Sequence, residues 1–407
     1  MKSDDWASIP FEELVEFHDR HRIPLSKKER ADRPGSFPYY GAQGIIDWVD
    51  DYIFDGRFLL IAEDGENLNS RKQPVAYMAE GQFWVNNHAH VVKAIEGVAD
   101  DDFLRAYVEI HPLKGHITGA AQPKLSQASL KRLSVTAPPY PVQTQIGEAI
   151  RALDGLIEDN RRRIEILEEM ARLLYREWFV HFRFPGHEDV ELVDSDLGPI
   201  PEGWGHSCLA DEIKLERENV KPYEYPDEEF DHYSIPAFDD RGLPTLELGA
   251  EIRSNKYLVA GACVMVSKLN PRFPRVWRVD RSDPARRAVA STEFLVLAKP
   301  LKWKLVYVYG LVTSTDFASS LAATAGGTST SHQRVKPADV MNMAVVSPPS
   351  DLVLSYSDQV QPMLKLADNL MLQNEVLREA RDLLLPRLVS GELDVSELDL
   401  GLEALGA

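Results

Sequence analysis

The sequence predicts a mixed α/β (α+β) protein with two globular blocks, each followed by a long coiled-coil helix, in an internal repeat. Three observations predict it: two heptad patterns, residue matches at nearly constant offset, and strand-like runs before each heptad pattern. The 407 residues are too many for one ordinary core. We expect globular blocks at 1–140 and 206–350, helices at 141–184 and 351–390, a linker at 185–205 and a tail at 391–407.

A diverged repeat relates the two halves of the chain. Near the start of each half the offset is 198 residues, as between Trp6 and Trp204. Toward the end of each half it becomes 210, as between Pro138 and Pro348. Because a constant offset over a long stretch indicates a duplicated unit, we expect two copies of one architecture. The second copy carries extra residues in its middle.

Apolar residues in the first helical segment recur with alternating steps of three and four, which is typical of a coiled-coil seam. The seam runs through Ile146, Ile150, Leu153, Ile157, Asn160, Ile164, Leu167, Ala171, Leu174 and Trp178. Asn160 lowers stability at such a position but can determine register.

The distal segment has a seam of the same phase. It runs through Tyr356, Val360, Met363, Ala367, Leu370, Asn374, Leu377, Arg381, Leu384 and Leu388. Pro362 and Pro386 should delimit or kink this helix, since an interior proline removes a backbone hydrogen bond. The two seams are suited to pack on each other; the alternative is two separate amphipathic surface helices.

The globular blocks contain strand-like runs rich in β-branched and aromatic residues, at 57–62, 75–79, 83–85, 258–268 and 294–298. Between the first helix and the second block, residues 184–204 are rich in Pro, Gly and acidic residues. That composition indicates a linker.

The net charge of −19 lies in three segments, with −5 in residues 1–19, −7 in 141–205 and −7 in 351–407. Residues 20–140 and 206–350 are each neutral, and residues 252–304 carry a local charge of +9. No apolar run is long enough for a membrane helix, and the N-terminus does not resemble a secretory signal. Cys208 and Cys263 show no metal-binding spacing, so we expect a reduced, cytoplasmic protein without a bound metal.

Several segments resemble the specificity subunits of type I restriction–modification systems. Residues 152–182 (ALDGLIEDNRRRIEILEEMARLLYREWFVHF) and 197–204 (LGPIPEGW) resemble the central region of that family, and 383–395 (LLLPRLVSGELDV) resembles its distal region. Residues 39–65, 252–272, 291–297 and 326–335 resemble its target-recognition domains. The similarity follows the order of nearly the whole chain.

The resemblance implies a pseudo-two-fold protein, with two target-recognition domains separated by an antiparallel pair of helices. Each domain would read one half of a bipartite double-stranded DNA target, and the helices would set the spacing and dock methyltransferase subunits. Restriction subunits would be further partners. S-adenosylmethionine, ATP and Mg would belong to the partner subunits, so this chain would hold no cofactor and would not be an enzyme.

Catalytic motifs are weak in the sequence. There is no GxxxxGK[ST] phosphate loop. The nearest match to a methylase loop is 137–140 (APPY), whose first residue cannot accept an amino proton. A nuclease triplet at 212–214 (EIK) lacks a convincing upstream acidic partner. A stand-alone nuclease or methylase is therefore the less favoured alternative, together with a coiled-coil scaffold that does not bind DNA.

Polar loops just before each helix are the best candidates for DNA contacts, since side chains read base edges while basic groups meet phosphates. Lys124 matches Arg334 at the offset of 210, and the alternative for both loops is an ordinary surface turn. Asn270 precedes a proline and could equally build a turn. The candidate DNA-binding residues are Lys27, Lys28, Arg30, Gln122, Lys124, Ser126, Arg253, Asn255, Lys256, Lys268, Asn270, Arg272, Thr328, Ser329, His332 and Arg334.

Arg176, Trp178 and Phe179 close the first helical segment and combine aromatic rings with charge, which is typical of protein interfaces. We expect exposed rings that bind a partner protein. The alternative is that Trp178 only ends the seam.

Overall fold

The computed structural model describes residues 6–119, 122–280, 286–298, 302–326 and 333–395. The chain forms two compact units. Unit 1 comprises residues 1–161 and 372–407, and unit 2 comprises residues 162–371. Within the described residues, no helix is both long and apolar enough to span a lipid bilayer.

Unit 1 contains ten strands and five helices among its described residues. The strands are Ala7–Pro10 (β1), Val15–Phe17 (β2), Pro34–Gly41 (β3), Gly44–Val49 (β4), Phe54–Ala62 (β5), Ala76–Val85 (β6), Ala89–Ala94 (β7), Ile117–Thr118 (β8), Lys124–Leu125 (β9) and Ser134–Ala137 (β10). The helices are Lys27–Ala31 (α1), Asn67–Ser70 (α2), Asp101–Ile110 (α3), Gln127–Lys131 (α4) and Tyr140–Tyr175 (α5), of which α5 continues into unit 2.

Unit 2 contains the remaining described elements. The strands are Leu192–Val193 (β11), Ile200–Pro201 (β12), Gly205–Cys208 (β13), Lys214–Glu216 (β14), Asn219–Val220 (β15), Glu229–Tyr233 (β16), Thr245–Leu248 (β17), Lys256–Leu258 (β18), Cys263–Ser267 (β19), Val276–Val279 (β20), Arg287–Ala290 (β21), Phe294–Ala298 (β22) and Ala344–Ser347 (β23). The helices are Leu209–Glu212 (α6), Ile235–Asp240 (α7), Lys302–Thr313 (α8), Thr315–Ala323 (α9), Pro337–Met341 (α10) and Ser350–Val389 (α11), of which α11 continues into unit 1.

A six-stranded sheet in the order β2-β7-β5-β6-β3-β4 forms the centre of unit 1. Its central strand β5 reads FDGRFLLIA, and Leu59, Leu60 and Ile61 are fully buried because both sheet faces are covered there. The predicted strand segments 75–79 and 83–85 form one continuous strand, β6.

Unit 2 has two larger sheets, in the orders β14-β22-β19-β20 and β15-β18-β21-β16-β17. All five residues of β19 are buried, as expected for a strand with neighbours on both sides. The predicted segment 258–268 is interrupted, because β18 ends at Leu258 and β19 begins at Cys263.

The strand registers show the internal repeat directly. In unit 1, β1 pairs antiparallel with β10, with Ala7 opposite Ala137. In unit 2, β13 pairs antiparallel with β23, with Gly205 opposite Ser347. The first partners differ by 198 and the second partners by 210, so both predicted offsets recur in one structural feature.

Within unit 1, the first part of α5 packs antiparallel to the last part of α11. The amide Nδ2 of Asn160 donates to Oδ1 of Asn374 at 3.1 Å, and Nδ2 of Asn374 donates to the carbonyl of Ile157 at 3.1 Å. Further along the same helix pair, an Nη atom of Arg381 lies 3.1 Å from Oδ1 of Asp154. The alternative of two separate surface helices is therefore wrong here, and each seam asparagine donates to the opposite helix.

The seam residues of both helices are buried or half-buried, as the heptad patterns predict. In unit 2, Tyr356 donates to the carbonyl of Ala171. Pro362 does not delimit the distal helix, because α11 continues through it, whereas Pro386 lies three residues before the helix ends at Val389. Long-range packing of the seam offsets the backbone hydrogen bond that each proline removes.

The segment between α5 and β13 is not a free linker. Phe184, Ile200 and Trp204 are buried in the core of unit 2, with Trp204 packed against Phe179 and Phe184. Its acidic composition predicted solvent exposure, but its aromatic residues anchor it to the core.

Replacing Asn374 alone by leucine leaves the buried amide of Asn160 without this partner. We expect N374L to lower the free energy of unfolding of unit 1 by about 1–3 kcal/mol, because a buried polar group is left unsatisfied. Urea unfolding followed by circular dichroism measures the change.

The double variant N160L/N374L is the matched control. It should be neutral or more stable than the natural chain, since an apolar pair replaces both polar partners. Equal destabilisation by the single and double variants would contradict the paired role of the asparagines.

Candidate nucleic-acid interface

In unit 1 a short hairpin precedes α4. Its strands β8 and β9 pair with Thr118 opposite Lys124. Gly119 begins the loop with φ of 84°, and a Cβ atom there would lie 2.4 Å from the carbonyl oxygen of Gln122. Gln122 and Lys124 are exposed, so the hairpin presents an amide and an ammonium group to solvent.

Unit 2 has the equivalent hairpin. Gly326 and Arg334 form an antiparallel bridge with two backbone hydrogen bonds of 3.1 Å. The candidates Thr328, Ser329 and His332 lie outside the described residues. Arg334 is 53% exposed and occupies the position that Lys124 has in unit 1.

Matching backbone hydrogen bonds attach both hairpins to the neighbouring sheets. The amide of Leu125 donates to the carbonyl of Glu63 at 2.8 Å, and the amide of Val335 donates to the carbonyl of Lys268 at 3.1 Å. The structure therefore makes Lys268 the equivalent of Glu63, at the end of the strand that precedes each of them. A side chain on either hairpin base is held by a sheet rather than by a mobile loop.

A second bond on each side extends this correspondence. The amide of Gly65 donates to the carbonyl of Pro123 at 3.0 Å, and the amide of Asn270 donates to that of Gln333 at 2.9 Å. Both donors have left-handed backbones, with φ of 110° at Gly65 and 50° at Asn270. The turn-building role of Asn270 is thus confirmed, because asparagine tolerates this conformation better than most residues.

The basic residue at each hairpin base is held by a carboxylate. The Lys124 ammonium lies 3.1 Å from Oε1 of Glu63, whose other oxygen accepts from Arg22 at 2.8 Å. Burial acts to raise the pKa of Glu63, but Arg22, His90 and Lys124 together hold that pKa below its usual value. In unit 2, Nε and an Nη atom of Arg334 donate to the two oxygens of Glu293 at 3.0 and 3.1 Å.

A buried polar network supports the hairpin of unit 1. His90 is 1% exposed; its Nδ1 lies 2.7 Å from Oδ2 of Asp19 and its Nε2 lies 2.8 Å from the carbonyl of Leu125. Gln127 also donates to Asp19, at 2.9 Å. Burial acts to raise the pKa of Asp19, but His90, the amide of Val91 and Arg22 together hold that pKa below its usual value.

Comparison with known proteins agrees with this duplicated architecture. Residues 3–169 match the family model described as the type I restriction modification DNA specificity domain. Curated proteins that resemble the chain are specificity subunits of the same systems. Residues 3–169 of the chain are thus similar to this family of specificity domains.

Two relatives illustrate the similarity. A putative type I restriction enzyme specificity subunit of Haemophilus influenzae is 35% identical over 47% of this chain and 49% of its own length. The MjaIX specificity subunit of Methanocaldococcus jannaschii is 26% identical over 70% of this chain and 66% of its own length. The chain thus spans about half of the first relative and just under two thirds of the second.

A solved structure shows the same fold. The type I restriction-modification S subunit from M. genitalium superposes with a TM-score of 0.59 at 13% identity, over 94% of this chain and 96% of that one. This likeness confirms the mixed helix-and-sheet fold class that the sequence predicts.

The first basic segment of the chain, Lys27–Ala31, forms the short helix α1. Ser26 caps α1 through a capping box with Glu29, and Lys27 and Lys28 are exposed. Arg30 is engaged within the protein, since it donates to Asp47 at 2.8 Å and to the carbonyl of Leu25 at 2.7 Å. Of these three basic residues, Lys27 and Lys28 present their ammonium groups to solvent.

Ser126 also has an internal role. Its hydroxyl caps α4 by accepting from the amide of Ser129 at 3.2 Å. The capping oxygen faces the helix, which explains the position of a serine just before it.

The second basic stretch divides into exposed and buried residues. Arg253, Asn255 and Arg272 are exposed, and Asn255 accepts a hydrogen bond from Tyr223. Lys256 is only 8% exposed and donates to Ser254 at 2.6 Å, so its ammonium is engaged within the protein. Desolvation lowers the pKa of this lysine.

Lys268 lies half-buried beside the hairpin of unit 2. Desolvation lowers the pKa of its ammonium despite the nearby Glu293 carboxylate, and Arg217 and Arg334 act in the same direction. The positive charges of Lys268 and Arg334 therefore both lie near the Glu293 carboxylate at this hairpin base.

The expected partner-binding rings are not exposed. Trp178 and Phe179 are 5% and 4% exposed and pack with Tyr356 in the core of unit 2. They follow α5 in a single wider turn, Arg176–Val180, which rotates both rings inward. Arg176 alone of the three is exposed.

Sequence reasoning missed Glu63, Glu293, His90 and Phe273. The contacts of Glu63, Glu293 and His90 become visible only in the fold, because the residues that they contact are distant in sequence. Phe273 is 70% exposed and lies three residues after Asn270, whose backbone is left-handed. A phenylalanine flanked by Arg272 and two prolines was the available signal.

Replacing His90 should loosen the hairpin of unit 1. We expect H90A to reduce the free energy of unfolding by about 1–3 kcal/mol, because Asp19 and the Leu125 carbonyl each lose a buried partner. Urea unfolding followed by tryptophan fluorescence measures the loss.

His88 supplies the matched control, since it also contacts a carboxylate, Asp64, but is 48% exposed. H88A should change the same free energy by less than about 0.5 kcal/mol. A similar loss in both variants would contradict a specific supporting role for His90.

Proposed function

We propose that this chain is the DNA-specificity subunit of a type I restriction–modification complex, in which each unit reads one half of a bipartite double-stranded DNA target. The observation that carries this proposal is the pair of matching hairpins. Each unit attaches its hairpin to a sheet by the same backbone bonds and places a basic residue at its base.

The hairpin side chains have the chemistry for reading base pairs. An arginine fork such as that of Arg334 can donate to O6 and N7 of guanine, and a lysine such as Lys124 can do so as a point charge. The exposed amide of Gln122 can both donate to and accept from adenine. Rigid attachment to a sheet favours discrimination, because a misplaced hydrogen bond cannot relax.

Exposed cations beside the hairpins would position the duplex through its phosphates. Lys27 and Lys28 supply them in unit 1, and Arg253 and Arg272 supply them in unit 2. The overall charge of −19 does not oppose this role, since the acidic excess belongs to the helical and connecting segments. Binding should weaken as salt rises, because counterions are released from the phosphates.

The helices α5 and α11 would set the spacing between the half-sites and dock methyltransferase subunits, and Arg176 is a candidate contact. In this assembly the chain is not the enzyme. S-adenosylmethionine would be used by the methyltransferase subunits, and ATP and Mg by the restriction subunits. The comparisons favour the DNA-specificity role over a coiled-coil scaffold that does not bind DNA.

Replacing Arg334 should weaken recognition of one half-site. We expect R334M to lower affinity for the selected target by about tenfold or more, because a base-edge contact is worth about 1–3 kcal/mol. K124M should act on the other half-site. Selection from a random duplex library, followed by sequencing, measures the information at each position.

Arg183 offers a control of the same type, since it is exposed and donates to both oxygens of Glu177. R183M should leave both half-sites unchanged. If R334M and K124M instead reduced binding to all sequences equally, the two residues would contact phosphates only.

Shortening both helices should change the tolerated gap. Deleting residues 157–163 and 371–377 removes one heptad from each seam together with both seam asparagines. At a rise of about 1.5 Å per residue, the preferred gap should shrink by about three base pairs. N160L/N374L keeps the length and should keep the gap, whereas an unchanged gap in the deletion would contradict the spacing role.

A further inference from the structure

The base of each hairpin holds its basic residue in an ion pair. Lys124 is 51% exposed and lies 3.1 Å from Glu63. Arg334 is 53% exposed and meets Glu293 in a two-bonded contact of 3.0 and 3.1 Å. The groups best suited to reach bases or phosphates are therefore already engaged by carboxylates of the protein.

The two carboxylates occupy different positions in the repeat. Glu63 directly follows strand β5 in unit 1, and its structural equivalent in unit 2 is Lys268, which directly follows β19. The backbone amide of Lys268 donates to the carbonyl of Glu293 at 2.8 Å. In the same way, the backbone amide of Glu63 donates to the carbonyl of His88 at 2.8 Å. Glu293 is thus the equivalent of His88, and the acid has changed position while the ion pair has been kept.

Stability alone gives little reason to keep such a pair. Exposed ion pairs contribute little to folding, because water screens them and two long side chains lose freedom. A function in binding gives a better reason. A carboxylate beside the reading residue repels phosphates and occupies the donors that would otherwise contact any duplex.

We propose that Glu63 and Glu293 are specificity-determining residues that hold Lys124 and Arg334 away from incorrect DNA. A correct half-site offers acceptors in the geometry that the arginine or lysine needs, so it can replace the carboxylate. Incorrect sequences cannot recover the lost ion pair, and their phosphates meet the negative charge. The inference rests on the proposed DNA-reading function and names residues that restrict it.

Glu293 gives the cleaner test, because its carboxylate contacts Arg334 whereas that of Glu63 also holds Arg22. In the full-length chain, E293Q should raise affinity for a random-sequence duplex by about two- to fivefold. This factor corresponds to the free energy that an exposed ion pair contributes. Affinity for the selected target should rise less. Selectivity should therefore fall, and only in the half-site that R334M affects.

Glu228 provides the control for charge alone. It pairs with Arg287 at 3.2 Å on the five-stranded sheet of unit 2, so E228Q removes an equal charge elsewhere. E228Q should leave selectivity unchanged, and R334Q combined with E293Q should abolish the gain in random-duplex affinity. Matching thermal melts of all variants would show that folding is intact.

The outcomes separate the two proposals. If the natural chain selects a bipartite target but E293Q keeps its selectivity, or resembles E228Q, the role of the acid is overturned and DNA reading stands. If the natural chain selects no sequence, with or without a methyltransferase subunit, the proposed function fails and this inference fails with it.

Discussion

The pairing of the first and last strands of each globular block is the constraint on which the rest of each unit depends. In unit 1, β1 pairs with β10, and the amide of Phe11 donates to the carbonyl of Leu133 at 2.8 Å. In unit 2, β13 pairs with β23, and Leu209 donates to Met343 at 2.9 Å. Each pairing closes a long loop, whose entropic cost must be offset by the buried core around Phe11 and Leu209.

This closure determines where the hairpin with its basic residue lies. Only a short helix, α4 or α10, separates each hairpin from the closing strand. The same closing strand leads directly into α5 or α11. The hairpin that precedes the closing strand is thereby held against the end of an inner strand, β5 or β19. The long helix that follows the closing strand starts from a defined position. One local arrangement thus connects the basic residues of the hairpins to the helices α5 and α11.

Divergence between the two units has changed charges more than backbone contacts. The amides of Leu125 and Val335 bond to equivalent carbonyls, and Gly65 and Asn270 adopt the same left-handed turn. At the same base, however, an acid in unit 1 is replaced by Lys268 in unit 2. Backbone geometry is maintained by many cooperative hydrogen bonds, whereas an exposed side chain can change at little cost to stability.

Patterns in the sequence were enough to predict three features. The constant offsets predicted the repeat, the heptad spacing predicted both long helices, and the apolar runs predicted the central strands β5 and β22. These features follow from local patterns, because apolar residues every three or four positions, or in a buried run, have few other ways to leave water. The prominence of Lys124 and Arg334 likewise follows from their equal offsets. The tertiary structure alone decided the burial of Trp178, Phe179 and Lys256, the passage of α11 through two prolines, and the pairing of the basic residues with Glu63 and Glu293. Each of these depends on groups distant in sequence, and burial or an ion pair is a property of such neighbours that no local pattern contains.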